Sequence, residues 1–441
     1  MTKVLLIQPT EYREFYNLDR DYSRYLSREL GLLHIGSMLA DNNIEVKLIP
    51  GLYNKEKTFS LLKNCKDFDV IGTTCLTPEI NIALEILKKS KEINPNIKTI
   101  IGGQHVTWLD KETLRENKFI DIVVRGEGEN SFLEIVKEKK LEEIKGITFR
   151  EKNKIKKNKG CKLLKEIPKL NEDLLTKYLN DIDKEISSGP YEKFQFNHMV
   201  TRGCPYNCLY CIEPKFWGHT LRFKKINHII KENNIIVNSK SCKRIFFMDS
   251  TFTANKKYAE SLCQEIKKQK YDIKLKCYTK INIYDKKIAS TLAKAGFNLV
   301  YFGIEHFHPY VQKMMNKKST FNEIVTGLKN AKSASQLTGS FLLIGHPGDN
   351  LERSKYSYSK TEYLIKNKLL DEITPFIYVP YPGTDIFNNP NKYKLKILTK
   401  DFSKYARIYE PVITYRDFSK DEIEIMFQFF AKLAFKTSSV I

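Results

Sequence analysis

Apolar residues follow two rhythms along the first 140 positions. Apolar-rich runs fall at 4–8, 45–49, 70–74, 99–101 and 122–124, and between them apolar positions recur at helical spacing, as at Ile80, Ala83, Leu84 and Leu87. Short runs of this kind read as strands, and i, i+3, i+4 spacing reads as helix. The pattern predicts helices at 32–39, 79–93 and 130–136, with a polar stretch rich in Tyr and Arg at 11–28. Strands alternating with helices imply an α/β fold with a doubly wound, Rossmann-like parallel sheet. Ligands of such sheets lie beyond the carboxyl ends of the strands. Those ends carry Gln8-Pro9, Cys75-Leu76-Thr77-Pro78, Gly102-Gly103-Gln104-His105 and Gly126-Glu127-Gly128-Glu129.

The rhythm weakens from 138 to 194, where Lys/Glu-rich sequence is punctuated by Gly146, Gly160, Pro168 and Ser187-Ser188-Gly189-Pro190; this reads as a linker with a small hairpin at 147–155. A second series follows, with strands expected at 197–201, 244–248, 274–279, 299–304, 339–344 and 372–379 and helices at 256–268, 286–295, 321–333 and 353–367. Six units are too few for an eight-fold barrel and predict a partial (β/α)6 TIM-type barrel. After Pro390 the chain turns Lys-rich and then amphipathic, with Ile423, Met426, Phe427, Phe430 and Leu433 on one face, a small helical C-terminal region. The expected division is 1–140, 141–194, 195–388 and 389–441.

Composition narrows the setting. Of 441 residues 41% are hydrophobic, which is globular rather than disordered. No run of 18 apolar residues occurs and the first ten residues read as a strand, so the expectation is a cytoplasmic chain with no membrane partner. The formal charge of +22 is spread along the chain as Lys, which reads as a solvated surface; nucleic acid is not expected as a partner. In a reducing compartment clustered cysteines point to metal or chemistry rather than disulfides. Six of the nine are scattered, at 65, 75, 161, 242, 263 and 277. The other three form Cys204-Pro205-Tyr206-Asn207-Cys208-Leu209-Tyr210-Cys211, directly after the first strand of the second series.

Thiolates so spaced can hold three corners of an iron–sulfur cubane from one loop, leaving one iron open. Structural zinc would need a fourth ligand, for which His219 is the nearby candidate. Thr201 through Cys211 resembles the signature of radical S-adenosylmethionine (SAM) enzymes, with Tyr210 the aromatic residue before the third cysteine. The resemblance implies a [4Fe–4S] cluster on Cys204, Cys208 and Cys211, SAM chelated to the open iron, and an external electron donor of flavodoxin or ferredoxin type. Further segments match in order. The run 246–252 resembles the strand motif beside the methionine amino group, with Asp249 and Ser250; Lys280 stands where Arg is frequent; Glu305 lies near ribose and carboxylate; and Gly345 opens a late loop.

The first domain is similar to the cobalamin-binding domain of one large subclass, best at 73–83, 100–105 and 121–132. A nicotinamide site is disfavoured because no G-x-G-x-x-G follows the first strand. The resemblance implies cobalamin contacts from Gln8, Pro9, Cys75, Leu76, Thr77, Gly102, Gly103, Gln104, His105, Gly126, Glu127, Gly128 and Glu129, the glycines admitting a bulky ligand. The Asp-x-His-x-x-Gly motif for an axial histidine is missing: Pro50-Gly51-Leu52-Tyr53 stands there, so base-off cobalamin is expected, with Leu76 on the lower face and His105 the alternative. The implied activity is C-methylation of an unactivated carbon of a small molecule or peptide, through a 5′-deoxyadenosyl radical and methylcobalamin. Non-methylating chemistry on both cofactors is the first alternative. A tRNA-modifying methylthiotransferase is the second, weakened because no cysteine after Cys277 could hold an auxiliary cluster.

Overall fold

The computed structural model describes residues 2–9, 25–27, 30–51, 55–188, 193–408 and 410–437. The stretch expected at 11–28 therefore lies mostly outside the described residues, as do Leu52, Tyr53, Gly189 and Pro190. Two compact units result, one from 1–13, 27–192 and 222–241, the other from 14–26, 193–221 and 242–441.

The first unit is built on a sheet of seven strands: β1 (Lys3–Ile7), β2 (Glu45–Ile49), β3 (Val70–Thr74), β4 (Lys98–Gly102), β5 (Ile122–Val124), β6 (Ile147–Glu151) and β7 (Lys154–Lys157). Their order is β2-β1-β3-β4-β5-β6-β7. The first five are parallel, and β6 and β7 add antiparallel. The burial of β1 (Val4, Leu5, Leu6 and Ile7 all inaccessible) is that of a strand covered on both faces, which explains its unbroken apolar run. Order 2-1-3-4-5 reverses direction between β1 and β3, and that switch point opens the ligand crevice in such sheets.

Two parts of the expected linker belong to this unit. The hairpin at 147–155 is the β6–β7 edge of the sheet, and Glu172–Ser188 is a helix burying Leu174, Leu175, Tyr178, Leu179, Ile182 and Ile186. A second helix, Ile226–Ile236, was not expected and packs on the first. It is tied down by Lys224, which is fully buried and pairs with Glu232 at 2.7 Å, while Glu232 also accepts from the Leu170 amide at 2.7 Å.

In the second unit β8 (Lys193–His198), β9 (Cys242–Phe247), β10 (Lys274–Thr279), β11 (Phe297–Glu305), β12 (Leu337–Ile344) and β13 (Glu372–Ile377) pair in chain order, all parallel, with a short strand, Tyr25–Ser27, at the β8 edge. Winding without a reversal curls a sheet into a partial barrel. Its interior holds aromatic rings: Phe246 and Tyr278 lie 4.3 Å apart, Tyr278 and Phe341 5.0 Å, and Phe341 and Phe376 5.6 Å between centroids. The C-terminal region is not wholly helical. An antiparallel pair, Leu395–Ile397 with Ile413–Tyr415, precedes the helix Lys420–Thr437, whose buried stripe includes the five residues expected from its periodicity. Among the described residues no helix is long and apolar enough to cross a membrane.

Candidate functional site

The three thiols leave the barrel on the loop after β8. Cys204 is buried, while Cys208 and Cys211 are partly exposed. The loop is pinned by its backbone: the Cys204 amide donates to Gly218 (3.0 Å), Cys211 to Cys208 (3.1 Å) and Leu209 to Met315 (3.1 Å). Burial raises the Cys204 thiol, and burial with the nearby Glu213 and the other two thiols raises Cys211. Both stay protonated until iron takes the proton's place, so loading releases protons. Among the described residues no three His, Cys, Asp or Glu side chains converge on one metal-ion position.

Around this loop the structure gathers the other expected residues. Asp249 follows β9, fully buried, its Oδ1 accepting from the amides of Val200 (3.0 Å) and Thr201 and from the Thr201 hydroxyl (2.8 Å), while Oδ2 has no partner among the described residues. Burial lifts its carboxyl to about 7. Ser250 donates to Glu213 at 2.9 Å. Lys280, after β10, lies 4.0 Å above the Tyr206 ring, and burial lowers its ammonium.

Glu305 ends β11 at a break in register, where Gly303 pairs with Phe341 but Glu305 with Leu342, and its φ is +67°. Bulges of this kind re-aim a side chain. Here the carboxylate receives the Tyr210 hydroxyl (3.1 Å) and Lys317 (3.2 Å). Gly345, after β12, donates its amide to Asp349 (3.0 Å), which also faces His306 at 3.3 Å. His346 packs edge-on to Tyr210 (5.9 Å); its Nδ1 meets the Pro347 carbonyl and its buried Nε2 has no partner among the described residues. Sequence reasoning missed Lys317, His306 and Asp349. Lys317 carried no motif signal, whereas Asp349, following Gly348 at a helix start, could have been read as a turn acid.

The first unit places Gln8-Pro9, Leu76-Thr77, Gly102–His105 and Gly126–Glu129 along the carboxyl edge of its sheet, on both sides of the β1/β3 switch point. Gln8 is buried, with Oε1 unpartnered among the described residues, and Leu76 is partly exposed. Other expected contacts are already committed to the chain. A Cβ on Gly103, at φ +105°, would sit 2.4 Å from the Cys75 carbonyl, and one on Gly126, at φ +72°, 2.5 Å from the Cys161 sulfur. These two glycines serve the chain's own packing as well as any ligand. Glu127 pairs with Arg222 at 2.6 Å and accepts from the Leu164 amide at 2.7 Å, both carboxylate oxygens engaged. Cys75 is buried and its thiol pushed up by burial; His105 is buried and pushed down to about 4, so it is neutral. A cavity of about 260 Å³ lined by Glu127, Glu134, Lys139 and Lys145 lies near this edge but is walled by mixed charge.

The residues thus fit an iron–sulfur cluster with a zwitterionic ligand in the second unit, and leave Gln8 and Leu76 open to a bulky ligand in the first. Residues 199–355 match the Radical SAM superfamily and 21–136 match the B12 binding domain. An uncharacterized methyltransferase of Pyrococcus horikoshii is 33% identical over 406 residues, covering 89% of this chain and 84% of that protein. The anaerobic magnesium-protoporphyrin IX monomethyl ester cyclase of Cereibacter sphaeroides is 24% identical over 76% of this chain, which spans 55% of the cyclase. Among solved structures, the radical SAM methyltransferase TsrM of Kitasatospora setae, with cobalamin and a [4Fe–4S] cluster bound, superposes with a TM-score of 0.72 at 16% identity, covering 91% of this chain and 78% of that one.

Proposed function

Because the chain belongs to the radical SAM enzymes that carry a B12-binding domain, we propose that it is a cobalamin-dependent methyltransferase acting on an unactivated carbon of a small-molecule or peptide natural product. One observation carries the reading: Cys204, Cys208 and Cys211, Asp249, Lys280, Glu305 and Gly345 follow five successive strands at one barrel edge. When bound, the cluster and SAM supply hydrogen abstraction and cobalamin supplies a methyl group. The chain's own tasks follow from its geometry. Cys204, Cys208 and Cys211 would hold three irons of the cluster. The open Oδ2 of Asp249 offers an acceptor to an ammonium, and Lys317 with the Tyr210 hydroxyl orients Glu305. The rings of Phe246, Tyr278, Phe341 and Phe376 give the barrel strands an aromatic lining. Gln8 and Leu76 would line the face of the sheet edge offered to cobalamin.

A second reading keeps both cofactors but closes a ring, and the similarity to the cyclase favours it. Either reading calls for a one-electron donor of flavodoxin or ferredoxin type and for a reducing, cytoplasmic setting, supported by nine cysteines that are all free thiols. The test is anaerobic reconstitution with iron, sulfide and cobalamin, followed by mass spectrometry of candidate substrates and of the nucleoside products. Methyl gain with 5′-deoxyadenosine is the expected result. Loss of two hydrogens without methyl gain would replace methylation by ring closure, and failure to retain cobalamin would remove both readings.

A further inference from the structure

We propose that the face formed by the helix Pro309–Met314 and the helix Leu351–Lys366 docks a small acidic protein that carries one electron. The inference rests on the reading above and adds where the carrier binds.

The helix Pro309–Met314 runs directly onto the cysteine loop. Met315 accepts the Leu209 amide at 3.1 Å, and the Asn316 side chain donates to the Asn207 carbonyl at 2.9 Å. Asn207 and Asn316 are both exposed, so the loop between Cys204 and Cys208 reaches the surface at this helix. Beside it stand three exposed aromatic rings, Tyr310 (47%), Tyr356 (38%) and Tyr363 (52%). Cations lie on them: the Arg353 guanidinium is 4.4 Å from the Tyr310 ring, and Lys360 is 4.8 Å from Phe321 and 5.3 Å from Tyr356. Arg353 is fixed by its bond to the Gly348 carbonyl at 2.6 Å. Among the described residues neither Arg353, Lys360 nor the nearby Lys313 enters an ion pair, although Lys366 on the same helix is neutralised by Glu362. Glu352 is the one carboxylate at the helix start.

Exposed Tyr and Arg anchors with uncompensated positive charge suit an acidic protein surface. A nucleic acid fits less well, because the cations are few and gathered over rings instead of following a track. In the step served, one electron leaves the carrier and one enters the oxidised cluster; no bond changes and no proton moves.

The test titrates the anaerobic holoprotein with an acidic flavodoxin at low and high salt, by calorimetry. Arg353→Glu with Lys360→Glu should weaken binding roughly ten-fold or more and flatten its salt dependence, and Tyr310→Ala, which removes the ring beneath Arg353, should also weaken it. Unchanged thermal melting and iron content establish that the variants fold. Dithionite reduction, followed by the paramagnetic signal of the cluster, should be the same in all. Equal flavodoxin affinity in wild type and variants, no saturable binding by wild type, or loss of single-stranded RNA binding or self-association in place of flavodoxin binding would overturn the proposal. A wild-type cluster that dithionite cannot reduce would overturn the cluster reading, while the titration still decides the docking face.

Discussion

One oxygen of Asp249 anchors the chain and the other is left open, and substitutions can separate the two roles. Asp249→Asn keeps the Oδ1 acceptor for Val200 and Thr201 but loses the charge; Asp249→Ala leaves two buried amides without an acceptor. The Ala variant is expected to lose about 1–3 kcal/mol per unsatisfied group in denaturant unfolding, the Asn variant little. Both should weaken S-adenosylhomocysteine binding in calorimetry by ~1.5–3 kcal/mol, the range for a hydrogen bond to a charged group. Burial raises the carboxyl from 3.8 to about 7. Between those values the folded state holds a proton that the unfolded chain has lost. Its contribution to stability is therefore full below pH 3.8, falls as pH rises to about 7 and is level above. Unfolding midpoints against pH should show that slope in wild type and not in Asp249→Asn. At Glu127, where both oxygens are committed, Arg222→Ala should cost about 3–5 kcal/mol by stranding a buried carboxylate. A near-neutral result would free Glu127 for a ligand.

At the scale of elements the barrel interior is set by one small residue. A Cβ on Gly339 of β12 would lie 2.2 Å from the Tyr301 ring. Gly339→Ala should overpack the site by about 1–3 kcal/mol and move Tyr301 and its neighbour Phe341, a shift that near-ultraviolet dichroism reads. Such crowding was not legible in the sequence, where Gly339 reads only as the start of a strand. Five of the barrel strands were legible as short apolar-rich runs between helical segments, and Phe321–Ser333 begins where Thr320 and Glu323 form a capping box; the first strand lies at Lys193–His198 instead of 197–201, because its Phe residues alternate with polar ones and give no continuous run. The hairpin at β6–β7 was legible but its place in the sheet was not, because its outer strand, Lys-Ile-Lys-Lys, sits at an exposed sheet edge. The helix Ile226–Ile236 was hidden by its many polar residues, of which Glu232 and Asn233 are buried, Glu232 against the Leu170 amide far away in sequence. The cysteine loop was plain from spacing alone. The Glu305 to Lys317 pair was not, because it is made by a register break and a left-handed backbone that only the assembled sheet imposes.

For the whole molecule, the first unit is not finished where its last strand ends. Residues 222–241 return to it, bringing Glu232 to the Leu170 amide and Ser239 and Ser241 to Asp183. A fragment ending at 194 is therefore expected to bind hydrophobic dye and melt without cooperativity; a sharp melt would show that the returning segment is dispensable. The same path sets an order for biosynthesis. Thirty residues separate Cys211 from Ser241, about 2–6 s of translation at common ribosome speeds. During that interval all three thiols have been made while the unit that precedes them still lacks its closing helix. The nascent chain thus offers its cysteines to iron–sulfur loading before the earlier unit can mature, and slowing translation across 212–241 should raise the fraction of chains that emerge with iron.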